Sequence, residues 1–316
     1  MECQLCAYMC HMHCGCTVLV FAVCMMGSVR WAFRFGSWKP TQAEWTLASR
    51  CIQQEEKDKI GKFVFKKDGK ASMAGRLLIR KVVAESLSYP WKEISLVRTD
   101  RGKPYLANEN IADPDFFPNF NFNASHAGDY TVLAAEPEWL CGVDVMKVES
   151  RGTPSIPEFF RLMTRQLTPH EWEVIRAEDT EWKQLEMFYR FWCLKESYIK
   201  AIGIGLGLDL QTIEFHPNTK VLQKGVVTTD TKFHLNGKLD ATWYFHESKL
   251  DDLHFACVAL KRPDGVSADV HVPTTVFKEL TFPDLVSSAQ PLLPEDASYW
   301  EAFDKKEERP SGHDKK

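Results

Sequence analysis

The chain has 316 residues, 44% of them hydrophobic and 26% charged, with a net charge of −4. That length suggests about two domains, with ample chain for a buried core. The mild acidity gives bulk electrostatics no case for a nucleic-acid or membrane partner, so any basic site must be local.

Six of the ten cysteines fall in the first 24 residues: Cys3, Cys6, Cys10, Cys14, Cys16 and Cys24. With His11 and His13 they match no zinc spacing well. Thr17 to Met26 is apolar but only about half a membrane span long. It also lacks a basic flank, since the first Lys or Arg is Arg30. Residues 1–28 are therefore read as a Cys-rich extension. Cys51, Cys141, Cys193 and Cys257 lie in apolar contexts and read as buried free thiols of a reducing, cytosolic compartment.

Residues 29–38 read as a strand ending before Pro40, and Thr41 can N-cap a helix through Ala43, Leu47 and Cys51. Lys57 to Lys67 is a basic stretch interrupted by Phe63 and Phe65. Met73 to Ser86 repeats apolar residues at helical spacing, with Arg76, Arg80 and Lys81 on or near its flank. Ile94 to Arg98 reads as a short strand, and Thr99-Asp100-Arg101-Gly102-Lys103-Pro104 as a turn. Arg98, Arg101 and Lys103 around Gly102 can grip phosphate, with backbone N–H groups approaching at the glycine. By itself the loop reads first as a solvated turn.

Asn123-Ala124-Ser125-His126-Ala127-Gly128 reads as a polar loop ahead of a strand from Tyr130 to Ala135. The turn Glu136 to Trp139 then leads into a second strand, Leu140 to Met146, as a hairpin. Val143 and Val145 point to one face of it; Gly142, Asp144 and Met146 point to the other. Asp is depleted in strand interiors, so Asp144 invites a partner, and a divalent cation is a good one.

Helices are expected at about 155–179 and 181–202. In the second, residues from Phe188 to Ile202 form an apolar arc about 180° wide. Lys195 falls inside that arc. Glu196 and Lys200 lie just beyond its edge, spaced so that their side chains can meet. A buried charge must be paired or functional; the plain alternative is an amphipathic helix with a snorkelling lysine. Leu208 to Phe215, Thr242 to Phe245 and His254 to Leu260 read as strands. Short strands around helices in each half make the fold class α+β, with two similar units. Leu280 to Phe303 keeps apolar residues for docking, and Lys305 to Lys316 reads as disordered.

A strand carboxylate, a helix carboxylate, an adjacent lysine, a histidine and a basic loop together suit transfer of a phosphate-linked group. Mg²⁺ takes one or two carboxylates plus phosphates and water. Cations neutralise the charge at phosphorus, and a carboxylate can accept the nucleophile's proton.

The strand GVDVM, the helix FWCLKESYIKAIGIGLG and the segment FNASHAGDY together resemble the large-type 4′-phosphopantetheinyl transferases, over roughly residues 29–303. The resemblance implies two α/β halves related by pseudo-twofold symmetry, each a small, mostly antiparallel sheet on helices. It implies an N-terminal half at 29–138, a C-terminal half at 139–262, a tail at 263–316, and coenzyme A in the cleft between the halves. The implied activity is that of a monomeric holo-[acyl-carrier-protein] synthase. Such an enzyme moves the 4′-phosphopantetheine arm to a serine of an apo acyl or peptidyl carrier domain and releases adenosine 3′,5′-bisphosphate. Carriers of the fatty acid synthase and aminoadipate-semialdehyde dehydrogenase types are implied.

By the same resemblance, Asp144 and Glu196 hold Mg²⁺, Glu196 deprotonates the carrier serine, and Lys200 faces the pyrophosphate. Arg98, Thr99, Asp100, Arg101, Gly102, Lys103, Asn123, Ala124, Ser125 and His126 hold phosphates and adenosine. Lys195 is expected to orient the metal carboxylates or to contact the pyrophosphate. Met146 stands where bacterial relatives often carry a second acid, so water would fill that metal position. Lys59 stands where close relatives carry an arginine, and is expected at the coenzyme A 3′-phosphate with its charge but not the planar fork. Met146 motivates one alternative, a coenzyme A- or carrier-binding protein without turnover. A two-domain protein with an internal Glu–Lys network is the other.

Overall fold

Thr41 opens the first helix with a reciprocal cap: its hydroxyl accepts from Glu44 N, and the Glu44 carboxylate accepts from Thr41 N. The computed structural model describes residues 27–107, 120–150, 155–264 and 274–308. The expected extension, apart from Gly27 and Ser28, lies outside the described residues, as does the tail beyond 308.

The N-terminal half comprises β1 (Val29–Phe33), α1 (Gln42–Arg50), α2 (Gln54–Gly61), α3 (Lys66–Ser86), β2 (Leu96–Arg98), β3 (Pro104–Leu106), β4 (Asn121–Ala127) and β5 (Tyr130–Glu136). Next come β6 (Leu140–Lys147), α4 (Ile156–Met163), α5 (Pro169–Arg176), α6 (Glu181–Ile202), β7 (Ile213–His216), β8 (Val227–Thr228), β9 (Lys232–Leu235), β10 (Lys238–Leu239), β11 (Trp243–Lys249) and β12 (His254–Lys261). The chain finishes with β13 (Lys278–Glu279), α7 (Phe282–Leu285) and α8 (Ala297–Asp304). Among the described residues no helix is long and apolar enough to cross a membrane.

Two four-stranded sheets carry this α+β fold, ordered β13-β1-β5-β4 and β6-β12-β11-β8. All their pairings are antiparallel except β13 with β1. The helix α3 buries Leu77, Leu78 and Val82 with Leu133 of the first sheet. The helix α6 buries Phe188, Phe191 and Leu194 with Phe245 and Cys257 of the second. A third apolar layer joins the sheets, with Val132 and Ala134 against Val143, Val145, Ala256 and Val258. All four described cysteines are free and buried.

Three sequence expectations are corrected. The loop expected at 123–128 is, as far as Ala127, part of strand β4, paired along its length with β5. The hairpin is β4–β5, turning at Gly128-Asp129, where Gly128 takes a φ of +61°. Both edges of β5 are therefore taken, by β1 and β4, and β6 pairs with β12 instead of forming a hairpin with β5. The helix expected at 155–179 breaks before Pro169, which lacks an N–H and disfavours helix at Thr168; Thr168 instead caps α5.

Several strands are shorter than their apolar runs. β1 ends at Phe33, β2 begins at Leu96 and β7 begins at Ile213. The tail returns to the N-terminal half, where Leu280, Phe282, Leu285 and Phe303 enter its core. Residues 305–308, expected as disordered, are held there. Lys306 donates to the carbonyl of Gly61 at 2.7 Å, and Glu308 pairs with Lys70 at 2.9 Å.

Candidate active site

Asp144 sits in the middle of β6, 1% exposed, on the face covered by α6. That contact needs Gly142. A Cβ there would collide with the backbone of Ser197 and Ala201, so glycine lets the helix lie directly on the strand. One strand repeat further on, Asp144 meets the same helix. Its Oδ1 accepts from Ser125 Oγ at 2.9 Å and from Lys200 Nζ, and Lys200 also donates to Ser125 Oγ at 2.6 Å. Its Oδ2 is buried with no hydrogen-bond partner among the described residues.

Glu196 lies one helical turn before Lys200, half-buried. Burial raises its carboxyl pKa, the Asp144 charge raises it further, and Lys200 opposes both. Two facing carboxylates, one with an orphaned oxygen, suit a cation. Among the described residues no group of three or more His, Cys, Asp or Glu side chains could hold a metal. The donor set is thus two carboxylate groups, which fits Mg²⁺ completed by phosphate oxygens and water better than it fits zinc. Met146 shares the Asp144 face but packs into the apolar cluster of the C-terminal half.

Above these groups opens a cleft of about 490 Å³. Its walls come from α3 (Ser72, Gly75, Arg76), the β2–β3 turn (Arg98, Arg101, Gly102, Lys103), β4 (Asn123, Ala124, Ser125, His126) and α6 (Glu196, Lys200). Five cationic side chains thus face one concavity, a field suited to a polyanion. His126 reaches into the cleft. Desolvation by the walls lowers its pKa, helped by Lys200 and Arg76 and opposed by Asp68 and Asp144. A neutral ring there can donate from one nitrogen and accept at the other.

The structure sorts the expected residues. Thr99 and Asp100 do not line the cleft; they build the turn. Thr99 N donates to Lys103 O at 2.9 Å, Gly102 N donates to Thr99 O at 2.8 Å, and Gly102 takes a φ of +85°. Arg98 braces the same turn through Gly102 O at 2.6 Å. Lys103 reaches across to the C-terminal end of α6, donating to Ala201 O at 3.2 Å, where a cation also meets the negative end of the helix dipole. Asn123 holds β4 against β6 by accepting from Val143 N at 3.0 Å. Lys59 stands outside the wall, an exposed side chain paired with Glu55 at 3.8 Å.

Lys195 is corrected outright. It points away from Asp144 and is fully buried in a separate network. Its ammonium contacts Glu171 Oε2 at 2.9 Å and donates to the carbonyls of Leu210 at 2.7 Å and Ile213 at 2.6 Å. Glu171 in turn accepts from Thr168 N and Phe215 N. Its role is to tie α5, α6 and β7 together.

Arg76 and Ser72 were not among the expected site residues. Their spacing puts both on one face of α3, but on an amphipathic helix that signal reads as an ordinary polar flank.

Two family models match the chain. One, described as 4′-phosphopantetheinyl transferase, N-terminal, covers residues 36–138; the other, the 4′-phosphopantetheinyl transferase superfamily, covers 140–258. The chain is 53% identical over 292 residues to the human L-aminoadipate-semialdehyde dehydrogenase-phosphopantetheinyl transferase, spanning 90% of this chain and 94% of that one. It is 50% identical to the Xenopus laevis protein of the same name, over 91% and 95% of the two chains. A phosphopantetheinyl transferase of Thraustochytrium is 41% identical, over 75% and 81%.

Proposed function

This chain belongs to the 4′-phosphopantetheinyl transferase superfamily, and we propose that coenzyme A is its donor and a serine of an apo acyl or peptidyl carrier domain its acceptor. The products are the phosphopantetheinylated carrier and adenosine 3′,5′-bisphosphate, as in a holo-[acyl-carrier-protein] synthase. Carriers of the aminoadipate-semialdehyde dehydrogenase type come first, because relatives at 50–53% identity bear that name. Fatty acid synthase carriers are the second class.

The observation that carries this reading is Asp144. It is buried, with one oxygen bonded and the other orphaned, beside Lys200 and Glu196 under a cationic cleft. Asp144 and Glu196 would hold Mg²⁺, with phosphate oxygens and water completing the shell. When bound, that ion neutralises the pyrophosphate and helps to orient it.

The remaining chemistry falls to the protein. Arg98, Arg101 and Lys103, with Ser125 and His126, hold the phosphates and the adenosine. The carrier serine Oγ forms a bond to the phosphorus that bears the pantetheine. The bond from that phosphorus to the bridging oxygen breaks, and adenosine 3′,5′-bisphosphate departs with the oxygen. Glu196 accepts the serine proton, directly or through a water. Lys200 stabilises the charge that builds on the pyrophosphate. Both walls of the cleft come from one chain, so a monomer suffices, and the free buried thiols fit a cytosolic protein.

The test is direct. The protein is incubated with coenzyme A, Mg²⁺ and an apo carrier domain, and the carrier is weighed by mass spectrometry. A phosphopantetheine increment on the carrier serine is expected. An unmodified carrier with coenzyme A still bound would mark a binding protein instead.

A further inference from the structure

Arg76 and Arg80 sit one turn apart on α3 and differ sharply in what holds them. Arg80 is fully buried and structural: its Nη2 donates to the carbonyls of Trp91 at 2.7 Å and Ile94 at 3.0 Å, and its Nη1 to Gln53 Oε1 at 3.2 Å. Arg76 instead faces the cleft. Glu56 of α2 approaches its Nε at 2.9 Å, close enough for an ion pair but not aligned for a hydrogen bond. Neither Arg76 Nη donates a hydrogen bond to any described residue.

The guanidinium is thus held from one side by a carboxylate and left open on the other. Its surroundings make that arrangement costly. Burial lowers its pKa, Glu56 counters, and the positive charge of Arg98 lowers it again. A link between α2 and α3 alone would require neither Arg98 nearby nor donors facing a cleft. An anion between the two arginines would relieve their repulsion and satisfy the Nη donors together.

We propose that Arg76 is a substrate-binding residue, forming with Arg98 a subsite for one phosphate of coenzyme A, and that Glu56 is the positioning residue that orients its guanidinium. This rests on coenzyme A being the donor. The phosphate is either the 3′-phosphate of the nucleotide or part of the pyrophosphate, and both present the same oxygens to an arginine fork.

Calorimetric titration of wild type, Arg76→Gln, Arg76→Lys and Glu56→Gln with coenzyme A and with 3′-dephospho-coenzyme A tests it, alongside melting of each variant without ligand. Loss of a charge-assisted contact should weaken coenzyme A binding about ten- to a hundredfold in Arg76→Gln. KM for coenzyme A should rise by a similar factor, with kcat at saturation far less affected. Arg76→Lys should recover only part of the affinity, and Glu56→Gln should lose less than Arg76→Gln. If Arg76→Gln weakens 3′-dephospho-coenzyme A equally, the subsite takes the pyrophosphate; if it weakens only coenzyme A, it takes the 3′-phosphate.

Unchanged affinity in a folded Arg76→Gln overturns the subsite while leaving the donor assignment intact. Should Arg76→Gln not fold, full affinity in Arg76→Lys overturns it equally. Wild-type protein that binds no coenzyme A overturns the donor assignment, and the subsite with it.

Discussion

Gly142 of β6 and Ala201 of α6 are in such close approach that any side chain at position 142 would collide with the helix backbone. This contact sets the height of α6 over the strand, and so the reach of Lys200 to Asp144. Gly142→Ala must push the helix outward. We expect a loss near the upper end of overpacking costs, about 3 kcal/mol, read as a lower urea midpoint with an unchanged slope. Transferase activity of the folded fraction should fall as well, because the helix carries Glu196 and Lys200.

Asp144→Asn and Glu196→Gln keep the shape of the site and remove a charge each. Turnover should drop on the order of a hundredfold or more in both. Lys200→Ala should lower kcat more than it weakens coenzyme A binding, because its role is to stabilise charge that develops during transfer. Single-turnover assays with saturating coenzyme A, beside direct titration, separate the two effects. Full activity in any of these variants would remove that residue from the mechanism.

Lys195 and Glu171 form a buried pair whose members satisfy each other and the nearby backbone. Lys195→Met leaves the Glu171 carboxylate buried and uncompensated, which should cost about 3–5 kcal/mol. Adding Glu171→Gln should recover part of that loss. A double-mutant cycle by urea denaturation measures the coupling. The folded fraction of the double variant should keep its kcat, since the pair lies apart from the cleft; a large fall in kcat would contradict the structural role.

His246 ties stability to pH. Burial, with the nearby Arg30 charge second, depresses its pKa from 6.5 to about 4. The folded chain therefore keeps this ring neutral, while the unfolded chain takes a proton below 6.5. Its contribution is present above that value and is lost as pH falls toward about 4, a total of about 3 kcal/mol. Denaturation series at pH 7 and pH 5 should show wild type losing stability faster than His246→Leu. Parallel losses in the two proteins would show that another group carries the dependence.

Some of this architecture was legible residue by residue. Thr41 announces a helix start, to which the structure adds the reciprocal cap from Glu44, and α6 follows from an apolar period that only a helix can bury. Asp144 stood out because a strand interior gives a lone carboxylate no local partner. Lys195 was legible as a charge needing a counter-charge, but its partner is Glu171 on another helix, and no spacing rule links the two. The segment at 123–128 looked like a loop because its residues are polar. They are polar because Asn121, Asn123 and Ser125 span from the edge of one sheet to β6 of the other, reaching Cys141, Val143 and Asp144.

The sequence by itself determined that α1, α3 and α6 are helices, which of their faces are apolar, and that Asp144 and Lys195 are charges needing company. These properties depend on neighbours within a few residues, or on the periods of helix and strand. Only the tertiary structure decided which charges meet. The close seat of α6 at Gly142 brings Lys200 onto Asp144 and leaves Lys195 on the far side. The packing of α2 on α3 turns Arg76 toward the cleft and Arg80 into the core. The physical reason is the same throughout: a charge is stabilised by what lies within a few ångströms of it, and across two sheets that is set by packing, not by order along the chain.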